Sequence, residues 1–325
     1  MVGNMPDAYK EGFLHATEKR FQNQDFDELK GKEIEKTQEQ MRIIADVNIA
    51  TNEILRRYGL IDFDIPASNV HIIADEKWVK GSSNGFFNAD LQAVAIREQP
   101  MNLAFMKILF HELIHFKSYG AWQVNEENGN RDVRKYRTGL SINSRDREGR
   151  AFFTALNEAV TEELTKRNAR SLLRKPEFTK EVTETERIIT TDRQRSRKSN
   201  GELLISEDTF CARQTSTKEW SNALWRYFGT RVGLKDEILE TVVTNFSYPV
   251  ERKALKRLVS RLYQENQDSY DSEDAVFEIF AKAMMTGNIL TLGKAIDSTF
   301  GVGTFRRIGE LGNNGKDFLE YVETL

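Results

Sequence analysis

The sequence predicts a mixed α+β protein in which helix predominates. Three observations predict it. Apolar residues recur at helical spacing over long stretches near residues 28–58 and 100–119. Only two short apolar runs bounded by turn residues, "NVHII" (69–73) and "QAVAI" (92–96), read as strands. From Thr217 to the C-terminus the chain reads as a succession of helix start and stop signals.

The elements follow in order. Residues 1–28 are polar and predict a poorly ordered or loosely helical start. A helix follows from about Glu28 to Tyr58, with Ile34, Met41, Ile44, Val47, Ile49 and Ile54 as its apolar positions and Gly59 as its cap. "GSSNG" (81–85) reads as the turn before the second strand. Pro100 suits a first helical turn, and the helix behind it runs to about Tyr119, capped by Gly120. Residues 121–150 are polar and charged, and within them "YRTGLSI" and "GRAFF" can pair as a hairpin. Another helix runs from about Phe153 to Arg170. Residues 175–215 look irregular, with "TDRQRSRKSN" (191–200) as a basic surface loop. Farther on, Ser272 is an N-cap, Gly287 ends the same helix and Gly301 stops another. "FGVGTF" lacks the remainder of a dinucleotide fingerprint and follows no strand.

Composition narrows the function classes. The 325 residues can build a substantial core in one large domain or two smaller ones. Their 47 basic and 50 acidic side chains leave a formal charge of −3, so no global field of either sign points to nucleic acid or a membrane surface. Cys211 is the single cysteine, which excludes an internal disulfide framework and fits a reducing compartment. The first twenty residues carry no apolar signal segment, and the longest apolar run, "LAFMKILF", is broken by Lys107. The expectation is a cytoplasmic protein with no membrane or nucleic-acid partner, its oligomeric state left open.

The chemistry concentrates in "ILFHELIHF" (108–116), which holds two of the four histidines. On a helix, positions four apart lie one turn apart on one face, so His111 and His115 point at one spot. Neutral imidazole suits a zinc ion, and Glu112 stands beside the first histidine within reach of a zinc-bound water. Burying two imidazoles and a carboxylate among Phe110, Leu113, Ile114 and Phe116 costs several kcal/mol unless they are paired, which a metal resolves. No histidine lies downstream, so a third ligand falls to a carboxylate in "ALNEAVTEEL" (155–164). Glu158 and Glu162 share one helical face there; one can bind zinc while the other holds a histidine by its second nitrogen. A di-iron site would need a second Glu-x-x-His unit, which His15 and His71 do not provide.

"HELIH" followed by "NEAVTE" resembles the thermolysin-like gluzincin superfamily of zinc metallopeptidases. The resemblance covers roughly residues 69–166, with 121–150 as an insertion. It implies His111, His115 and Glu158 as zinc ligands, Glu112 as the catalytic glutamate and Glu162 as the acid supporting a ligand histidine. The implied fold is a zincin-like core with a small sheet and a two-helix zinc site, over 61–170. A helical segment (1–60) would precede it and a mostly helical C-terminal subdomain (171–325) would wall the cleft. By the same resemblance, "QAVAI" matches the edge strand that pairs with an extended peptide or protein substrate. A downstream Tyr, His or Arg would stabilise the oxyanion: "YFGTR" (227–231), "YPVER" (248–252) and Tyr136 offer candidates, of which Tyr248 is chosen. The expected function is a zinc-dependent metallopeptidase. The alternatives are an inactive zinc-bearing scaffold for a protein partner and an intracellular toxin or effector protease.

Overall fold

Thr37 opens the first helix among the described residues of the computed structural model, which are 31–78, 80–81, 83–89, 91–127, 130–143, 150–199, 206, 208–216, 239–311 and 314–325. Its hydroxyl accepts the Gln40 N–H at 3.1 Å, and the Gln40 side chain accepts the Thr37 N–H at 2.9 Å. This reciprocal cap starts α1 (Gln38–Arg57) ten residues later than the spacing suggested. Ile34 lies before the helix, its amide bonded to the Ile72 carbonyl at 2.9 Å. The buried stripe is Ile43, Ile44, Val47, Ile54 and Leu55, whereas Met41 and Ile49, expected to face the core, are 45% and 54% exposed. Residues 1–28 lie outside the described residues.

The first sheet holds β1 (Val70–Ile73), β2 (Gly85–Asn88) and β3 (Ala93–Arg97) in the order β1-β3-β2. β3 runs parallel to β1 and antiparallel to β2. "QAVAI" is therefore the central strand and not the edge. All of β3 is buried, as a continuous apolar run demands when both faces are covered. β1 and β2 are the edge strands among the described residues, and at β2 the sequence reading saw only the end of a turn.

α2 (Asn102–Lys117) is buried at every position except Asn102 and Phe116. A helix apolar all round must lie in the interior. Ser118 ends it, and Gly120 opens the next strand instead of capping the helix. The polar segment after it is a second, four-stranded antiparallel sheet: β4 (Gly120–Glu127), β5 (Asn130–Thr138), β6 (Ser141–Asn143) and β7 (Ala151–Phe152). "YRTGLSI" turns on itself at Gly139, whose φ of 56° suits glycine, and Ile142 then pairs with Phe152.

α3 (Thr154–Asn168) follows, then α4 (Thr179–Ser199). The second helix replaces the irregular segment and basic loop expected there. Its few apolar residues hid it: Ile188 packs with Ala212 and Val243 in a small separate cluster. β8 (Thr209–Ser216) and β9 (Leu239–Asn245) pair antiparallel, so the stretch after Thr217 is not helical throughout. "TVVT" is β-branched, which favours a strand. Five helices close the chain: α5 (Pro249–Glu265), α6 (Glu273–Thr286), α7 (Ile289–Phe300), α8 (Thr304–Glu310) and α9 (Gly315–Thr324). Ser272 caps α6 and Gly287, at φ 80°, ends it.

The protein is thus mixed α+β, predominantly helical, with small sheets. One buried cluster runs from Ile43 to Val322 and joins α1, the first sheet, α2, α3 and the C-terminal helices. Among the described residues no helix is long and apolar enough to cross a membrane.

Candidate metal centre

α2 and α3 pack so that three donor atoms meet. The Nε2 atoms of His111 and His115 lie 3.1 Å apart. Glu158 Oε2 lies 3.2 Å from His115 Nε2 and 3.3 Å from His111 Nε2. The three form a group able to hold a metal ion. Tetrahedral zinc with bonds of about 2.0–2.1 Å needs ligand atoms about 3.3 Å apart, so the donor set and its spacing fit zinc. Both histidines are buried beside the Glu158 carboxylate, an arrangement that a cation, proton or metal, stabilises.

Behind them stands Glu162, wholly buried. One carboxylate oxygen lies 2.6 Å from His111 Nδ1. The other accepts from Lys107 Nζ at 2.6 Å and from the Ser247 backbone N–H at 2.5 Å. In the neutral ring, a proton held on Nδ1 by Glu162 would leave the Nε2 lone pair for a metal. Burial alone would raise the Glu162 carboxyl pKa, but the Lys107 ammonium and His111 hold it far below the usual carboxylate range. Burial likewise works against the His111 imidazolium, yet Glu162 and Glu158 outweigh it and lift its pKa to about 10. Glu158, against burial, is held well below its ordinary value by His115 and His111. On the other imidazole, Nδ1 of His115 faces the Asn157 amide at 3.5 Å, and Asn157 Oδ1 accepts the Leu140 N–H at 2.8 Å.

Glu112 sits one residue from His111 and faces β2. Burial raises its pKa, and His111 and His115 partly offset that. A methyl group on Gly85 would lie 2.6 Å from Ile108 Cγ2 and 3.1 Å from Glu112 Oε1. Only glycine lets the edge strand come this close. Farther along the same helix face, Phe87 and Phe116 pack at 4.9 Å between ring centroids. A cleft of about 440 Å³ opens here, between Asn84 and Gly85 on one wall, Glu112 on the floor, and Thr244, Ser247 and Tyr248 on the other wall.

Tyr248 reaches the site from the turn between β9 and α5. Its ring stacks on His111 at 5.8 Å with 17° between planes. Burial, then the Glu158 and Glu112 carboxylates, push its phenol pKa far up. The other oxyanion candidates fare differently. Arg252 turns to Asp208, 2.7 Å away; Tyr136 is exposed on β5; "YFGTR" lies outside the described residues. His71 pairs with Glu33 at 2.9 Å on β1, away from the group, and His15 lies outside the described residues. Cys211 is buried in β8, its thiol pushed up to about 12, and does not join the donors.

The structure thus brings His111, Glu112, His115, Glu158, Glu162 and Tyr248 together. Sequence reasoning missed Lys107, Asn157, Gly85 and Ser247. Two of them left a trace. Asn157 opens "NEAVTE", and Lys107 is the charge that interrupts the apolar run "LAFMKILF", one turn before His111. Comparison with known protein families, curated proteins and solved structures returns no match.

Proposed function

We propose that the protein is a zinc-dependent metallopeptidase of the gluzincin type, with the first sheet, α2 and α3 as a zincin-like core. One observation carries this reading: His111, His115 and Glu158 present three donor atoms 3.1–3.3 Å apart, with Glu112 beside them at the floor of an open cleft. Bound there, zinc would lower the pKa of a water molecule and polarise a peptide carbonyl. The chain's own residues do the remainder. Glu112, its affinity for a proton raised by burial, takes the proton of the attacking water and returns it to the leaving amine. Tyr248, a neutral phenol at any physiological pH, donates to the developing oxyanion. Glu162 holds the His111 imidazole in orientation. β2, an edge strand among the described residues and beside Glu112, would take an extended peptide along its backbone.

Metal analysis of purified protein tests the site, with about one equivalent of zinc expected. Less than about half an equivalent, with Glu158→Gln changing nothing, would remove the metal centre from the argument. Glu112→Gln should retain zinc and abolish cleavage of a peptide library. A wild type that holds zinc and cuts no peptide would favour the scaffold reading.

A further inference from the structure

Glu162 does more than hold a histidine. Its two oxygens link three groups: His111 Nδ1 on one side, Lys107 Nζ and the Ser247 amide on the other. Lys107 closes the loop by donating to Ser247 Oγ at 2.9 Å. Ser247 is therefore held twice, through its backbone and through its hydroxyl, by charged groups that are themselves buried. The next residue is Tyr248, in the left-handed region at φ 55° and ψ 50°. Such backbone is costly for a non-glycine residue and persists only where its surroundings over-determine it. Here both flanks are pinned. Ser247 hangs from the Lys107–Glu162 pair, and Pro249 begins α5 with its φ set by the ring. Tyr248 gives the helix no side-chain cap in return. What the strained turn achieves is the stacking of the phenol on His111.

We propose that Lys107 and Ser247 are positioning residues that, through Glu162, lock the Tyr248 turn to the same imidazole that faces the metal. The metal ligand and the oxyanion donor are then set by one network. Lys107 touches both Glu162 and Ser247, so a single buried side chain orients both. The catalytic consequence rests on the metallopeptidase reading; the mechanical one does not.

The test uses the whole chain, metal-free and zinc-loaded. Ser247 is exposed on the cleft wall, so Ser247→Ala leaves the core intact even if Lys107→Met fails to fold. Ser247→Ala should keep its zinc and lose about tenfold or more in kcat with KM little changed, the mark of a misplaced transition-state contact. Ser247→Thr, which restores the hydroxyl, should recover the rate. In a Tyr248→Phe background, Ser247→Ala should cost nothing further. Independently of activity, amide exchange over residues 243–250 should speed up about tenfold in Ser247→Ala and Lys107→Met, while α6 stays protected. Unchanged exchange in these variants overturns the proposal, as does an equal rate loss with and without the Tyr248 hydroxyl. If the wild type cuts no peptide, the metallopeptidase reading fails and the exchange measurement alone decides the positioning role.

Discussion

Glu162 stays ionised in the interior because two neighbours hold it so. Its folded carboxyl pKa lies below the unfolded value of about 4.3. The stability it contributes is therefore fully present above about pH 4.3 and is lost as pH falls through the folded value. Glu162→Gln should cost the metal-free protein about 3–5 kcal/mol at neutral pH, since Lys107 is left buried without a counter-charge. It should also flatten the acid limb of the stability curve, which thermal unfolding between pH 3 and 7 would read. Gly85 makes a second residue-scale case. Its β-carbon position is filled by Ile108 and overlooked by Glu112. Gly85→Ala should push the edge strand or Glu112 aside, lowering kcat by about 10²-fold while zinc content holds. Kinetics alongside metal analysis would check this. His111, Glu112 and His115 were legible in sequence because the i, i+4 relation is local. Gly85 was not, because its meaning lies in which helix it approaches.

At the scale of elements, α2 depends on a neighbour for its start. Met101 offers no side-chain cap, and the first amides, Asn102 and Leu103, donate instead to Glu181 of α4 at 2.9 and 2.7 Å. Burial raises the Glu181 pKa while these two amides pull it down. Glu181→Ala should destabilise the fold by about 1–2 kcal/mol, the usual worth of an N-cap, as denaturant unfolding would show. α4 itself escaped sequence reading, because its helix is mostly polar and its apolar contacts are few. β3 was read as a strand, yet placed at the edge. Its run of buried residues carried the information that it was central. β4 and most of β5 went unseen because their composition is that of a polar loop, and only pairing makes them a sheet.

For the whole molecule, the proposed metal centre would join metal binding to folding and to protons. In the metal-free state His111 keeps its proton up to about pH 10. Zinc must displace that proton, so affinity should rise with pH up to that point, about tenfold per unit. Calorimetric titration in buffers of differing ionisation heat would show about one proton released per zinc near pH 8. Zinc at about a hundredfold over its Kd should add about 2.7 kcal/mol of stability, and a chelator should remove it.

The chain by itself determined the helical class, the two-histidine face of α2, the acidic pair on the following helix and Tyr248 as a candidate donor. These rest on short-range spacing, which helix geometry converts directly into direction, and on a resemblance carried by the same short motifs. Only the tertiary structure decided which strand forms the edge, which glycine opens the cleft, and that Lys107 meets Ser247 across 140 residues. Contacts of that separation depend on how the core closes around α2. A buried charge such as Lys107 shows its purpose only when its counter-charge arrives beside it.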